Sequence, residues 1–321
     1  MKIGMMLGFE ESIKTITDIA RGAENAGIDT LYTVDAGRSA TITAAAVINA
    51  TAKASVGTYI VNAYAREPWM TGLEARDLNE ISGGRFILGV GTGNLHFNEL
   101  YMGIDSSRSR AKMRDFIQIV KAVVSGKAAE RVRHQGNAHR IRWRATWDPV
   151  TPTLPVYMSA SGPNMVRLAG EVSDGVGIGI MSSVEFVRDI VRPNAIAGAK
   201  EAGRNPESIA FPTAATLSVN QDGDLAREAS RKSICKLYHP IPHPYYDSQL
   251  RQLGFEEFAD QTSKLMPAGK LKEAADILAS SPSAIQLRYL ETLTNVTSEK
   301  SSTIVFPVPM DIISSFMPKD K

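Results

Sequence analysis

The segment PVYMSASGPNMVRLAGEVSDGVGIGI, Pro155 to Ile180, decides the fold. Its apolar opening, Pro155 to Ala160, reads as a buried strand. The run breaks at Ser161-Gly162-Pro163 and resumes as a helix, with Met165, Leu168, Ala169 and Val172 at the i, i+3, i+4, i+7 spacing of one apolar face. Asp174-Gly175 and a second apolar run, Val176 to Ile180, follow. Strand, glycine turn, helix and strand make a βαβ unit of the parallel-sheet kind. Pro163 suits the first helical position, where a missing N–H leaves nothing unsatisfied. Gly162 permits close approach of backbone to a ligand, and the free N–H groups of the first turn favour an anion. The Ser161-Gly162 turn is therefore a candidate phosphate cradle at the C-terminal end of a strand. The plainer alternative is an ordinary tight βα turn.

The same alternation runs outward in both directions. Strands are predicted at Lys2 to Leu7, Thr30 to Val34, Ala54 to Val61 and Phe86 to Val90. Helices are predicted at Ser12 to Asn25, Ala40 to Ala50, from Pro68 to Ser82-Gly83-Gly84, and at Ser109 to Ser125. Arg131 to Trp147 interrupts the rhythm as an inserted hairpin or loop, basic enough to meet a polyanionic ligand tail or simply to be solvated. Further helix is predicted near Val184 to Ala202 and from Leu225 to Met266, with a seventh strand at Ala210 to Val219. Short links and apolar strands point to a parallel sheet covered by helices. Seven such units favour a (β/α)8 TIM barrel over an open Rossmann sheet, whose G-x-G-x-x-G is missing after the first strand. In a barrel, chemistry gathers at the C-terminal ends of the strands. That rule selects Asp35, Asn62, Gly91 to Asn94, His96, Ser159 to Gly162 and Gly177 to Met181.

Composition sets the class. The 321 residues carry 36 Lys+Arg against 34 Asp+Glu, with the basic residues dispersed, so no nucleic-acid partner is expected. A single cysteine, Cys235, excludes an internal disulfide and fits a reducing, cytoplasmic compartment. The first residues are too short and too charged for a signal peptide, and no apolar run is long enough to span a membrane. His239 and His243 lack further ligands at metal-site spacing, so no metal centre is expected.

Three motifs carry a resemblance to a known family. They are Val61-Asn-Ala-Tyr-Ala-Arg-Glu-Pro68, Leu78-Asn-Glu-Ile-Ser-Gly-Gly-Arg-Phe86 running through Gly93, and Gly162-Pro-x-Met165 with Leu168-Ala-Gly-Glu171 and Asp174-Gly175. Over roughly Met1 to Met266 the chain resembles the luciferase-like flavin oxidoreductases, above all their deazaflavin-dependent branch, which includes methylenetetrahydromethanopterin reductase. The resemblance implies a luciferase-like TIM barrel binding a deazaflavin coenzyme (F-420 type, hereafter F420) or, alternatively, FMN at its mouth. It places the cofactor phosphate on Ser161 and Gly162 and near Gly177, Gly179 and Ile180. It puts a bulge with a cis peptide at Tyr59–Ile60 behind the ring, with Asn62 and Asn94 in hydrogen-bonding reach. Asp35 becomes the candidate catalytic carboxylate, facing a cationic C=N acceptor or relaying a proton. The family's His after that Asp is Ala36 here, and two further acidic positions of the pterin branch hold Met6 and Asn94. An FMN-dependent monooxygenase is the sister reading, and a homodimer is expected from the resemblance.

From about Pro267 the likeness ends. Ala284-Ile-Gln-Leu-Arg-Tyr-Leu-Glu-Thr-Leu293 and Ser302-Thr-Ile-Val-Phe-Pro-Val-Pro309 resemble the C-terminal segment of stomatins (band-7 proteins), as in a fusion. Two units are thus expected, a barrel over 1–266 and a tail over 267–321. A barrel without its eighth strand exposes two unpaired sheet edges. One expectation is that a helix capped at Ser281 and a strand at Ser302 to Phe306 replace the missing pieces, between strands seven and one. The other is a self-association module that drives assembly of a catalytically impaired barrel into larger homo-oligomers.

Overall fold

The computed structural model describes residues 2–151, 153–180, 182–237, 246–265 and 303–307. The first half runs β1 (Lys2–Met6), α1 (Ile13–Asn25), β2 (Thr30–Thr33), α2 (Ala40–Ala50), β3 (Ser55–Thr58), β4 (Val61–Asn62), α3 (Pro68–Ile81), β5 (Phe86–Gly91), α4 (Leu95–Met102) and α5 (Ser109–Ser125). A hairpin of β6 (Arg131–Gln135) and β7 (Arg140–Arg144) then precedes β8 (Val156–Ser159), α6 (Pro163–Val172), β9 (Gly175–Gly177), α7 (Arg192–Glu201) and β10 (Thr213–Ala214). After these come α8 (Gly223–Leu237), α9 (Tyr246–Gln252), α10 (Glu256–Leu265) and β11 (Thr303–Pro307). Local chemistry sets the boundaries. Ser12 Oγ accepts from Thr15 N at 3.1 Å to open α1, and Pro68 and Pro163 occupy the first turns of α3 and α6.

Eight parallel staves lie in the order β10-β11-β1-β2-β3-β5-β8-β9, with β4 extending the pairing along β5. The two ends of that order meet. Val176 N donates to Ala210 O at 2.8 Å and Ile178 N to Pro212 O at 2.9 Å, while Ala214 N donates to Ile178 O at 3.1 Å. The sheet therefore closes as a (β/α)8 barrel. Thr303–Pro307 fills the position between β1 and β10, with Lys2 facing Thr303 and Thr213 facing Ile304. The expected capping helix after Ser281 lies outside the described residues.

Among the described residues, hydrophobic side chains pack in two places. The larger lies between sheet and helices and includes Leu31, Val56, Phe86, Leu88, Val90, Val156, Met158 and Val176, interleaved with Phe116, Ile117 and Leu168 from the helices. The smaller sits inside the barrel, where Tyr32, Tyr59 and Ala214 pack with Met6, Ile60 and Ile180. Tyr32 fits because Gly57 has no side chain: a Cβ there would stand 2.8 Å from the Tyr32 ring.

Three elements differ from the sequence expectation. The seventh strand is confined to Thr213–Ala214, because Pro212 has no N–H for the ladder and residues beyond 214 leave it. The helix expected over 184–202 is a π-helical turn, Phe186–Val191, followed by α7. Pro193 cannot donate to an α ladder continuing from the preceding turn, which widens instead. Helix α4 was absent from the expectation. Its caps were present, Asn94 in front and Gly103 at φ +63 behind, but Phe97 and Leu100 face solvent and give no amphipathic period.

Replacing Ile304 by Pro removes a backbone donor from a stave flanked on both sides. A cost of ~3 kcal/mol corresponds to a fall in melting temperature of roughly 6–12 °C for a domain of this size. Circular-dichroism melts of Ile304→Pro beside Ile304→Val check this; equal melts for both would show that β11 contributes nothing to closure.

Candidate functional site

At the C-terminal mouth of the barrel, the turn after β2 is joined to the segment after β3 by one carboxylate. Asp35 Oδ1 accepts from Ala40 N at 2.8 Å, and Oδ2 accepts from Asn62 N at 3.0 Å. Arg66 grips the same group with two prongs, Nε to Oδ2 at 2.7 Å and Nη2 to Oδ1 at 3.0 Å. Its remaining Nη1 donates to Glu74 Oε2 at 2.8 Å. The Asp35 main chain adds a further link, donating to Ile60 O at 3.0 Å. Asp35 and Arg66 are largely buried, at 15% and 17% side-chain exposure. Burial opposes ionisation of Asp35, yet the hydrogen bonds and charge of Arg66, with the Ala40 and Asn62 N–H groups, outweigh it. The carboxyl is held below its ordinary range. Near neutral pH this group is an anion with every oxygen engaged.

The Tyr59–Ile60 peptide is cis, as the resemblance implied. Tyr59 crosses the mouth: its hydroxyl donates between the Ile178 carbonyl at 2.7 Å and the Pro212 carbonyl at 3.1 Å, tying β3 to β9 and β10. Its ring meets Tyr32 edge to face at 5.5 Å. The Tyr32 hydroxyl is buried with no hydrogen-bond partner among the described residues, and burial pushes its pKa up. On the facing side, Gly162 caps α6 without a side chain, and Ala160 N donates to Gly177 O at 3.2 Å. A Cβ placed on Gly162 or on Gly179 would meet none of the described residues within 4 Å, which leaves room among them before the α6 N-terminus. One placed on Gly177 would come within 3.4 Å of the Tyr59 hydroxyl. Ser182 and Thr216, on the loops after β9 and β10, add two buried hydroxyls without partners among the described residues.

The structure thus joins Asp35, Tyr59, Ile60 and Asn62 directly, and brings Ile180 into their apolar cluster. Ser161, Gly162 and Gly177 form the facing edge. Asn62 is spent locally: its amide donates to Asn98 Oδ1 at 2.8 Å and its oxygen accepts from Tyr64 N at 3.0 Å. Asn94 caps α4 by accepting from Phe97 N at 3.2 Å. The side chain of His96, and Met181, His239 and His243, lie outside the described residues. Sequence reasoning passed over Arg66 and Glu74, although Arg66 stands inside one of the quoted motifs. Its partner is 31 positions away. Only the fold brings them together.

A (β/α)8 barrel with a glycine-lined helix N-terminus facing a carboxylate–guanidinium clamp defines a small-molecule enzyme class whose ligand enters at the mouth. Residues 1–282 match the family described as luciferase-like monooxygenase, and the chain belongs to that family. It is 30% identical over 233 residues to 5,10-methylenetetrahydromethanopterin reductase of Methanolobus tindarius, covering 72% of this chain and 69% of that one. It is 26% identical over 305 residues to a putative coenzyme F420-dependent oxidoreductase of Mycobacterium tuberculosis, covering 87% and 85%. Among solved structures, the F420-dependent tetrahydromethanopterin reductase of Methanopyrus kandleri superposes with a TM-score of 0.78 at 22% identity, over 98% and 96% of the two chains. That likeness shows the fold. A separate local match links 47 residues to mechanosensory protein 2 of Caenorhabditis elegans at 60% identity. It covers 15% of this chain and only 10% of that protein, too small a share to show membership of its family.

Removing Arg66 leaves the Asp35 carboxylate buried without its cation, which costs ~3 kcal/mol or more. Because the folded pKa of Asp35 is depressed, its stabilisation is present above the unfolded value and lost as pH falls through the folded one. Arg66→Met is therefore expected to lower the unfolding free energy at pH 7 and to lose much of that gap at pH 3. Urea titrations at the two pH values check it.

Proposed function

We propose that the chain is a deazaflavin-dependent oxidoreductase that moves a hydride between F420 and a small organic substrate, such as the C=N bond of a methylene-pterin. The observation that carries this reading is that relatives aligned across most of the barrel are named for methylenetetrahydromethanopterin reduction or for F420 dependence. The mouth suits such a ligand: among the described residues, room lies before the α6 N-terminus at Gly162 and Gly179, and the buried Ser182 and Thr216 hydroxyls have no partner. When bound, the coenzyme supplies a hydride at ring carbon 5, and the protein supplies position and electrostatics.

The residues then take distinct parts. Backbone N–H groups of Ser161 and Gly162, with Gly177, Gly179 and Ile180, receive the phosphate. Tyr59 and Ile60 back the ring, held by Asn62 and the Asp35–Arg66 clamp. Asp35 acts as a fixed anion that favours a cationic substrate. An acid–base role suits it poorly, because its lowered pKa keeps it ionised. Asn94 contributes by fixing the start of α4 above β5. Ile42, Trp69 and Met70 are exposed at the N-terminal turns of neighbouring α2 and α3, which supports a homodimer through that face. A cytoplasmic setting fits the lone cysteine. The FMN-dependent monooxygenase is the second reading, favoured only by the name of the family. The third is a fusion whose stomatin-like tail, over 267–321, drives assembly at the expense of catalysis.

Titration of the purified chain with F420 and, separately, FMN decides among them. Quenching of deazaflavin fluorescence with micromolar or tighter affinity, and weak FMN binding, is expected. Gly177→Val, which crowds Tyr59 and Ser159, is expected to weaken F420 by about tenfold or more while the melting temperature reports on folding. Tight FMN with oxygen uptake would establish the monooxygenase. Neither ligand, together with large oligomers in sedimentation, would establish the fusion reading.

A further inference from the structure

The β6–β7 hairpin carries a charged face with no role in the site above. Strand alternation buries Val132 and turns His134, Ile141 and Trp143 partly inward. Arg131, Arg133, Arg140, Arg142 and Arg144 are left exposed on the opposite side. The register sets Arg131 across from Arg144 and Arg133 across from Arg142. No carboxylate among the described residues pairs with any of the five. Like charges directly opposed weaken a hairpin. This one is pinned from behind instead. Buried Asp115 of α5 accepts from Ala138 N at 2.6 Å, from His139 N at 3.0 Å and from His134 Nε2 at 3.3 Å. Arg76 of α3 lies 5.7 Å from the Trp143 ring centre and 4.7 Å from that of Trp147. Its guanidinium donates to the carbonyls of Val123, Gly126 and Trp147. The result is a pinned back and an unneutralised front, whose arginine Cα positions lie about 5 Å apart across the strands and about 7 Å apart along them. The hairpin starts after α5 and returns into β8, so its base lies at the end of the barrel opposite the mouth.

We propose that this face binds a linear polyphosphate, a chain of phosphates bearing neither bases nor acyl tails. All five cations are arginines, whose planar fork matches phosphate oxygens in pairs. The face has no aromatic ring to stack a base, since Trp143 points to the other side. It has no apolar side chain to enter a bilayer. Its covered back keeps the ribbon from entering a duplex groove as β-ribbon readers do. What remains is charge, fork geometry and a preformed surface, which a bare phosphate chain matches at low ordering cost.

The test is anisotropy of labelled inorganic polyphosphate against the full chain at increasing salt. It compares wild type, Arg133→Ala/Arg142→Ala, and the charge-matched control Arg21→Ala/Arg188→Ala. The hairpin variant is expected to bind at least about tenfold more weakly, with a log–log salt slope shallower by about 1–2, and the control within about twofold of wild type. Circular dichroism verifies folding of each. Should the alanine pair unfold, Arg133→Lys/Arg142→Lys keeps the charge and removes the fork, and is expected to bind at an intermediate level. Absence of binding at low salt overturns the proposal, as does equal loss in hairpin and control variants. Tighter binding of single-stranded RNA or of phosphatidylserine vesicles, at equal phosphate, overturns the polyphosphate assignment.

Discussion

A parallel barrel stands on a backbone constraint: every stave needs hydrogen-bonded neighbours on both sides, and one missing stave leaves two open rows of donors and acceptors. In this chain that constraint is met by distant pieces of sequence. β1 begins at Lys2, and its partner on one side is Thr303–Pro307. The same segment pairs with β10 on its other edge. At the opposite seam, the β9 and β10 segments meet through single bridges, Gly175 with Ala210 and Ile178 with Thr213. The mouth depends on these thin joints. Tyr59 ends on the Ile178 and Pro212 carbonyls, so its hydroxyl is anchored to the part of the ring where backbone pairing is sparsest.

That anchoring explains how the site keeps its shape over a barrel interior lined by glycines. Gly57 leaves room that the Tyr32 ring occupies, and Gly177 leaves room beside the Tyr59 hydroxyl. The two rings form a floor whose upper edge is fixed by hydrogen bonds, while Asp35 and Arg66 fix the turn beside it. Removing a methylene from a close-packed floor of this kind changes the cavity above it, which links packing within the barrel to ligand geometry at the mouth.

Much of this architecture is legible in the sequence. Pro155 to Ile180 folds as strand, turn, helix and strand, with Pro163 at the start of α6 as its chemistry requires. Local signals of that sort survive because capping and apolar periodicity act within a few residues. Helix α4 was hidden because its apolar residues Phe97 and Leu100 face outward, which removes the periodic signal while leaving its caps intact. The shortened seventh strand was hidden by Phe211-Pro212, where high β propensity coexists with a missing donor. The clamp was the harder case. Asp35 was legible as a residue at a strand end, but nothing in sequence says that Arg66 saturates it. Pairing between side chains on different βα units is set by barrel curvature, and no local pattern encodes it.

The clamp also redirects the chemistry expected of Asp35. A carboxylate waiting to relay a proton needs a pKa near the working pH and a free oxygen, and Asp35 has neither. It is still not electrically silent. Two carboxylates, Asp35 and Glu74, share the single guanidinium of Arg66 in a partly buried cluster beside the mouth. On the proposed reading, a cationic substrate held at the mouth would meet a fixed negative field that needs no rearrangement. Charge held in place before reaction is the larger contribution that a protein makes in such a site. On the proposed reading, the Asp35–Arg66 clamp supplies a fixed charge rather than a group that moves a proton, and Ala36 beside it carries no imidazole. A substrate that gains from a fixed negative charge is, on that reading, better matched to this clamp than one that takes its proton from Asp35.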